Sequence, residues 1–448
     1  MAGIARRYRA LFSTGRVAAA AAISRTFVLA LMLTADALLP DYDMSSALPA
    51  GPPCEHGSAA GPPEWPRAQA ALEGLITWDA VYFVRIAECG YEYEQFHAFF
   101  PALPLAMRAL QRSVLWPLVP KVGTRATLAL AGLLISNAAF VAAAVMLHRL
   151  SLRVLHSHRL AALSAMFFCL NPASVFYSAA YTESLYAAAT FAAMLALEWR
   201  AYKGFLLAAA ASAATRSNGV LNAGYLAHHC LRRSVKAVRA GRPWRAVGVL
   251  VWMAGGVTAV AAPLALFQWY GFRSFCGAGV DPDEAPPWCA DTVPYLYGYV
   301  QRHYWGVGFL TYYQPQQIPN FALALPILAW SASGIWAFCR ANWPGVLELG
   351  LIPDAPTGGE PTPAPSPRPP YFGPRVTVYV IHWAALTAVA AFVMHVQVAT
   401  RFLSASPPLY WFAAHLWVQR RARRALLAHC LLFTAAGAVL HPTFLPWT

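Results

Sequence analysis

The stretch TWDAVYFVRIAECGYEYEQFHAFFPALPL, residues Thr77 to Leu105, carries acids, an arginine and a histidine between hydrophobic blocks long enough to cross a membrane. Asp79 opens a short amphipathic run, which we expect to be a helix that stops at Gly90. Pro101 and Pro104 are expected to break any helix before the chain turns back toward the bilayer. In so apolar a protein, a loop this rich in ionisable groups is where chemistry would be placed.

The composition predicts an all-α polytopic membrane protein. Of the 448 residues, 58% are hydrophobic and only 12% are charged, whereas a soluble protein carries roughly a quarter charged residues. The net charge is +14, but thirteen of the nineteen acids fall in two stretches, Asp41 to Glu94 and Asp281 to Asp291. The basic residues cluster in 6–16, 232–245 and 420–424. This sorting follows the positive-inside rule for membrane proteins, and it argues against a nucleic-acid-binding face.

Hydropathy predicts one integral membrane domain over 1–448 with about eleven transmembrane segments. Both acidic loops and the short polar turns then share one side of the membrane. The loops are 41–125, which holds the organising stretch, and 271–320, while 341–372 is expected to be a disordered cytosolic linker. The predicted segments are 23–39, 128–147, 160–176, 185–197, 205–214, 220–231, 247–270, 321–338, 376–394, 409–418 and 425–440.

The motif ATRSNG separates two apolar runs, 205–214 and 220–231, that are each short for a crossing. If they made one crossing, the six basic residues from Arg232 to Arg245 would face the lumen. We therefore expect a pair of broken helices meeting at Arg216, which a membrane tolerates where they line a cavity.

The eight cysteines show no spacing typical of zinc, and His97 and His395 lack a third ligand, so neither a metal nor a cofactor is predicted. Cys276 and Cys289 share one acidic loop and form a disulfide if that loop faces an oxidising lumen. Cys169 and Cys430 lie inside apolar blocks and are expected to be buried hydrophobes.

Four polar groups are expected to meet at one membrane face: Asp79 and its neighbours, Tyr181 to Ser184, Arg216 to Asn218, and His395 to Arg401. Structural alternatives exist for each. Asp79 can cap a helix, Arg85 can pair with Glu88, and the arginines can reach lipid headgroups. Glu183 is expected to pair with Arg216 rather than stand free.

Several blocks resemble the GPI mannosyltransferase 2 family, also called PIG-V. They are the opening stretch, NPASVFYSAAYTESLYA, ATRSNGV, YWGVGFL with QIPNF, MHVQVATRFLSASPPLYWF and the terminal FLPWT. The resemblance runs, with gaps, from about the first span to the last residue. The departures lie in connectors: the Pro/Gly-rich stretch 41–66, the linker PTGGEPTPAPSPRPP and a very short stretch between the last two spans.

The resemblance implies a GT-C-type glycosyltransferase of the endoplasmic reticulum, with luminal loops that carry amphipathic helices. It implies transfer of mannose from dolichyl-phosphate mannose to the first mannose of a GPI precursor, forming an α-1,6 link. The donor is β-linked, so an α product requires inversion by a single displacement. The family's base, an aspartate of the first luminal loop, corresponds to Asp79. The implied partners are the two lipid substrates and the membrane, with any partner subunit left open.

The chemistry of this reaction assigns roles to the remaining residues. A leaving phosphate needs positive charge, and Arg401 and then Arg216 are the candidates because arginine binds phosphate oxygens in pairs. The other members of the four groups are expected to bind substrate: Trp78, Tyr82, Arg85, Glu183, Asn218, His395 and Gln397. The aromatic loop from Tyr295 to Tyr313 suits sugar stacking, although interfacial belts use the same residue types.

Two rival interpretations remain at this point. A lipid transporter or scramblase without chemistry would place polar residues near the middle of spans and show inverted repeats, and neither is visible. Another mannosyltransferase with a different lipid-linked acceptor would share the chemistry, and only the family-specific blocks argue against it.

Overall fold

The structure, a computed structural model, describes residues 13–42, 62–277, 285–352 and 369–447, and no β-strand occurs among them. Its α-helices are α1 (Thr14–Leu38), α2 (Pro66–Glu73), α3 (Asp79–Cys89), α4 (Ala102–Ser113), α5 (Val119–Val122), α6 (Thr124–Leu155), α7 (His158–Cys169), α8 (Ser174–Ser178), α9 (Glu183–Glu198), α10 (Tyr202–Thr215), α11 (Ala223–Arg239), α12 (Pro243–Phe275), α13 (Leu296–His303), α14 (Ile318–Ala341), α15 (Trp343–Leu347), α16 (Thr377–Phe392), α17 (Ala399–Leu403), α18 (Pro407–Val418) and α19 (Arg423–Leu440). Short 3₁₀ turns lie at Glu94–Ala98, Trp116–Leu118, Ser217–Asn222, Pro287–Ala290, Pro315–Gln317, Pro370–Phe372, Pro374–Val376 and Val396–Val398.

Among the described residues, six helical stretches are long and apolar enough to cross a membrane: Thr14–Leu38, Thr124–Leu155, Pro243–Phe275, Pro315–Ala341, Pro374–Phe392 and Arg423–Leu440. The all-α membrane architecture is therefore confirmed. The other five predicted segments correspond to α7, α9, α10, α11 and α18, which have 12 to 17 residues each. A straight helix needs about 20 residues to cross the hydrocarbon core, so length alone does not make spans of these five.

Helix α6 lies at the centre of the bundle, where it packs against α1, α4, α7 and α9. Small residues on α6 allow this close approach. A Cβ on Gly132 would come within 2.6 Å of the Ala180 methyl group, and Ala131 and Ala143 are fully buried. Interfaces between membrane helices favour such residues because the backbones then meet closely. By contrast, α12 leaves large apolar side chains such as Leu266 and Trp269 exposed, which suits contact with lipid.

A buried arginine on α1 holds the segment that leads into the candidate site. Arg25 donates to the Ser174 carbonyl and to Ser174 Oγ, both at 2.7 Å, and to Ser178 Oγ at 3.1 Å. Its guanidinium also lies 3.9 Å from the centre of the Phe140 ring. A charge at this depth persists only when hydrogen-bonded, so Arg25 fixes α8 and the turn that follows it.

The break at ATRSNG is confirmed, because α10 ends at Thr215 and α11 begins at Ala223, with a 3₁₀ turn between them. The turn folds back tightly on α10. A Cβ on Gly219 would lie 2.2 Å from the Ser212 carbonyl oxygen, a separation that no side chain tolerates. Glycine at this position therefore allows Arg216 to sit in an extended conformation at the helix end.

Two expectations require correction. Neither proline breaks a helix: the preceding 3₁₀ turn ends at Ala98, Pro101 is the N-cap residue of α4, and Pro104 lies in the first turn of α4, where proline removes no hydrogen bond. The linker 341–372 is ordered at both ends, since α15 forms there and Tyr371 is fully buried. Residues 353–368 of that linker, and 43–61 of the Pro/Gly-rich connector, lie outside the described residues.

The second large loop is tied to the first. Cys276 and Cys289 form a disulfide with a Cα–Cα distance of 5.6 Å, and Cys169 and Cys430 are buried free thiols, as the sequence predicted. Glu94 accepts hydrogen bonds from Trp288 Nε1 at 2.9 Å and from the Tyr304 hydroxyl at 2.6 Å. The hydrogen bond to this carboxylate raises the pKa of Tyr304 to about 12.

Candidate active site

The candidate site is a cluster of two carboxylates and two arginines drawn from four distant parts of the chain. Arg401 Nη2 lies 2.7 Å from Asp79 Oδ2, and Arg401 Nε lies 2.7 Å from Glu183 Oε1. Arg216 Nη1 lies 2.6 Å from the same Glu183 oxygen, so the predicted pairing of Arg216 with Glu183 is confirmed. The cluster is formally neutral, and each charge has an opposite partner, as burial requires.

The two carboxylates differ in access. The Asp79 side chain is 34% exposed, whereas that of Glu183 is 2% exposed. Asp79 Oδ1 accepts no hydrogen bond from any described residue, because Arg401 contacts only the other oxygen. Asp79 is therefore the carboxylate that a substrate hydroxyl can reach.

Two aromatic rings and a backbone hydrogen bond also position Arg401. Its guanidinium lies 4.6 Å from the ring centre of Phe176 and 5.1 Å from that of Tyr181, and its carbonyl accepts a 2.5 Å bond from Ser404 Oγ. Burial lowers the pKa of Arg401, but the carboxylates of Glu183 and Asp79 outweigh this effect and raise it. The guanidinium therefore stays charged, which a phosphate site requires.

Asp79 is the first residue of α3, and it does not cap the helix. The capping position belongs to Trp78, and the Trp78 side chain makes no capping hydrogen bond. The backbone of Trp78 has φ +53° and ψ −125°, a conformation that residues other than glycine rarely adopt. Such strain costs about 1–3 kcal/mol and persists only where surrounding contacts enforce it. The helix-cap interpretation of Asp79 is therefore wrong.

Tyr82 lies one turn along α3 from Asp79. Its ring stacks on Phe99 with centres 4.4 Å apart and meets the edge of Phe96. Burial and then the nearby Asp79 carboxylate raise the pKa of Tyr82. A neutral phenol beside the exposed carboxylate is suited to a hydrogen bond with a sugar hydroxyl.

Three of the predicted substrate-binding residues, Arg85, His395 and Gln397, have hydrogen-bond partners away from the ion cluster. Arg85 donates two hydrogen bonds to Glu92, of 2.7 and 2.9 Å. Its predicted partner Glu88 is farther away, with 4.0 Å between Arg85 Nη1 and Glu88 Oε2. His395 Nε2 contacts the Trp305 carbonyl at 2.5 Å, and Gln397 accepts from the Tyr312 hydroxyl. His395 and Gln397 thus bind the second loop rather than the acids, although they precede Arg401 by only a few residues.

Unpartnered polar atoms occur on three of the predicted substrate-binding residues. Trp78 Nε1, Asn218 Nδ2 and Glu183 Oε2 are buried and have no hydrogen-bond partner among the described residues. Buried polar atoms in folded proteins are nearly always paired, so these three atoms have hydrogen-bonding capacity left for a ligand or for water. Two donors and one acceptor suit a ligand rich in hydroxyl groups.

Within the described part of the chain, no group of three His, Cys, Asp or Glu side chains is arranged to hold a metal ion. His97 is fully buried among rings, stacking on Phe267 with centres 5.1 Å apart. Its burial lowers the pKa of His97 to about 4, so the imidazole is neutral. His97 therefore contributes to packing between the first loop and α12.

Comparison with known proteins decides the family. A family model described as Mannosyltransferase (PIG-V) matches residues 16–448. The chain belongs to the PIG-V mannosyltransferase family. The predicted family and enzyme class, a glycosyltransferase, are thus confirmed, and the transporter interpretation is set aside.

Similar proteins from animals carry matching names. GPI alpha-1,6-mannosyltransferase 2 of Mus musculus is 34% identical over 88% of this chain and 93% of its own length. The Homo sapiens protein of the same name is 33% identical over 94% of this chain and 96% of its own length. GPI mannosyltransferase 2 of Drosophila pseudoobscura pseudoobscura is 31% identical over 97% of this chain and 99% of its own length.

In this PIG-V chain, sequence reasoning missed contacts behind the site. The Tyr181 hydroxyl accepts the Asp79 backbone N–H at 3.0 Å, and His441 contacts both Tyr181 and Thr77. Tyr181 belongs to one of the four predicted polar groups, but neither Thr77 nor His441 was assigned a role. Thr77 and His441 lie 364 positions apart in the sequence, so no local pattern indicates that they meet.

Proposed function

We propose that this protein transfers mannose from dolichyl-phosphate mannose to the first mannose of a GPI precursor, forming an α-1,6 link with inversion. The GPI substrate and the α-1,6 linkage follow the names of the similar proteins, and the donor and the accepting first mannose follow the family resemblance. One observation carries the mechanism: Asp79, the accessible carboxylate of the cluster, shares a partly buried, permanently charged arginine with a second carboxylate.

In this mechanism Asp79 is the general base. The acceptor hydroxyl attacks the anomeric carbon of the donor from the face opposite the phosphate, and its proton passes to Asp79. One carbon–oxygen bond forms and the bond to the phosphate oxygen breaks, so the electron pair leaves with the lipid phosphate. A single displacement of this kind inverts the anomeric centre.

Arg401 serves the leaving group. The departing phosphate gains one negative charge in the same step in which Asp79 is neutralised by the proton. Because Arg401 contacts Asp79 at 2.7 Å, its positive charge becomes available to the phosphate as the carboxylate loses its own charge. Arg216, held on Glu183 and at 3.3 Å from Thr182 Oγ1, supplies a second positive charge.

The substrate sugars are assigned to the residues around the cluster. Trp78 Nε1, Asn218 Nδ2 and Glu183 Oε2 supply the unpartnered atoms, and Tyr82 lies beside the base. Ser217 also bonds to the Tyr297 hydroxyl at 2.7 Å, which brings the aromatic second loop beside the Arg216 turn. His395, Gln397 and Arg85 then act by holding loops rather than by touching substrate.

We further propose that the site faces the lumen of the endoplasmic reticulum and that the five shorter helices also cross or enter the membrane, giving about eleven segments. Helix α9 runs from Glu183, at the site, to Glu198, and at 1.5 Å per residue its length is about 22 Å. A helix of this length enters deeply into the membrane from the side on which the site lies. The disulfide in the second loop suits an oxidising lumen, and the basic clusters suit the cytosol.

Cysteine labelling in sealed microsomes tests this topology. Leu221→Cys, at an exposed position in the turn after α10, should react with an impermeant maleimide only after permeabilisation. Arg239→Cys, at the end of α11, should react in intact vesicles. Labelling of both positions from the same side would contradict the broken-helix arrangement.

The proposed activity is tested by incubating purified protein with dolichyl-phosphate mannose and a synthetic GPI precursor carrying one mannose. The expected product has one added mannose in an α-1,6 link, identified by linkage-specific mannosidases. A precursor that already carries two mannoses is the control and should not be extended. Transfer to a different lipid-linked acceptor in preference to the one-mannose precursor would overturn the assignment.

A further inference from the structure

The last residues of the chain return to the candidate base. His441 is fully buried directly after α19, with Nδ1 at 3.1 Å from Thr77 Oγ1 and Nε2 at 3.1 Å from the Tyr181 hydroxyl. Phe444, part of the terminal motif FLPWT, packs on Trp78 with ring centres 6.1 Å apart. These contacts enclose the turn Thr77–Trp78, the backbone that delivers Asp79.

The hydrogen bonds among these groups form one self-consistent set. The Thr77 hydroxyl donates to His441 Nδ1, and His441 Nε2 donates to the Tyr181 oxygen. That oxygen also accepts the Asp79 backbone N–H, and its own proton goes to the Thr77 carbonyl at 3.4 Å. Every donor is then used with a neutral imidazole. Burial and the nearby Arg401 lower the pKa of His441 to about 3, consistent with that neutral form.

The same network explains how the strained residue persists. Trp78 has φ +53° between two anchored residues, Thr77 and Asp79, and both are bonded to the Tyr181 hydroxyl. A strained backbone relaxes unless its surroundings over-determine it. Relaxation at Trp78 would rotate α3 and move the Asp79 carboxylate away from Arg401.

We propose that His441 is a positioning residue, which acts through Tyr181 to hold the strained Trp78 turn and thereby aims Asp79 at the acceptor hydroxyl. This inference rests on the proposed role of Asp79. His441 exchanges no proton in the reaction, and its effect is geometric. A misplacement of about 1 Å can lower an enzymatic rate about 100-fold, so removal of this support should affect catalysis rather than donor binding.

The test is steady-state mannose transfer by full-length variants. His441→Phe and Tyr181→Phe should each lower kcat about 10- to 100-fold with little change in the KM for donor. His441→Gln keeps a donor toward Tyr181 and should recover part of kcat. The double variant should lose no more than the worse single variant, because both changes break one pathway, whereas independent effects would multiply.

A second histidine supplies a matched control. His429 lies on α19 and packs on Phe433 with ring centres 4.6 Å apart, so His429→Phe should keep kcat. If His441→Phe fails to fold by thermal denaturation, Tyr181→Phe and His441→Gln carry the test. Wild-type kcat in folded His441→Phe, or multiplied losses in the double variant, would overturn the inference. If Asp79→Asn itself retains activity, the proposed base fails instead.

Discussion

Asp79→Asn is expected to lower mannose transfer about 10²- to 10⁴-fold while the protein stays folded. The asparagine oxygen can still accept a hydrogen bond from Arg401, so the local contacts persist, but the amide cannot take up a proton. An acceptor hydroxyl is a poor nucleophile at neutral pH, and it needs that base in the transition state. Asp79→Glu shifts the carboxylate by one methylene group and should retain little activity. Single-turnover transfer at saturating donor is the measurement.

A matched change on α9 controls for loss of charge. Glu198→Gln removes a carboxylate that accepts a 3.0 Å bond from the Tyr379 hydroxyl, at the end of α9 opposite Glu183. This variant should transfer mannose at a normal rate. Near-normal transfer by Asp79→Asn, with normal thermal stability, would remove Asp79 as the base and move that role to Glu183.

Arg401→Ala is expected to have the next largest effect. It removes the guanidinium shared by Asp79 and Glu183 and leaves the buried Glu183 with Arg216 alone. Truncating one partner of a buried, hydrogen-bonded charge pair costs about 2–5 kcal/mol, which corresponds to a loss of at least about 30-fold. The loss should appear both in donor KM and in kcat, measured by steady-state transfer over a range of donor concentrations.

Arg401→Lys should recover only part of the lost activity. The planar guanidinium contacts Asp79 and Glu183 through two different nitrogens, and the single ammonium group of lysine cannot reproduce this geometry. Arg375→Ala serves as the control, since Arg375 is exposed and bonds to the Arg153 carbonyl and His156, away from the ion cluster. Donor kinetics in Arg401→Ala that match the wild type would assign Arg401 to structural support alone.

Local features of the chain were predictable because few residues decide them. Gly90 has φ +86° and ends α3 as expected, and the tight turn at Gly219 separates α10 from α11. Burial of Cys169 followed from the apolar residues around it. Each feature depends on residues a few positions apart, where steric and hydropathic rules apply directly.

The ion cluster was predicted only in outline. Charge sorting indicated that four polar groups share one face, yet the contact between Arg401 and Asp79 spans 322 residues and depends on helix packing. The arginine was assigned to the donor phosphate, but the structure shows that it also holds the Asp79 carboxylate. His395 and Gln397 lie near Arg401 in sequence, and the short turn Val396–Val398 directs them toward the second loop.

The number of spans could not be read from hydropathy. Helices α7 and α18 have 12 residues each, and most of their side chains are buried in the bundle, so their apolar composition does not by itself show whether they cross. Composition alone does not separate a buried short helix from a crossing. The strained Trp78 and its support by His441 were also beyond sequence, since no propensity predicts a tryptophan at positive φ.

Donor binding by Asp79→Asn tests the central claim most directly, namely that Arg401 is shared between the base and the donor phosphate. The asparagine side chain of this variant carries no charge, so Arg401, although still hydrogen-bonded to it, attracts the phosphate more strongly. The account predicts that purified Asp79→Asn binds dolichyl-phosphate mannose at least as tightly as the wild type, measured by tryptophan fluorescence titration in detergent, yet transfers almost no mannose. Binding markedly weaker than wild type in a normally folded variant would contradict it.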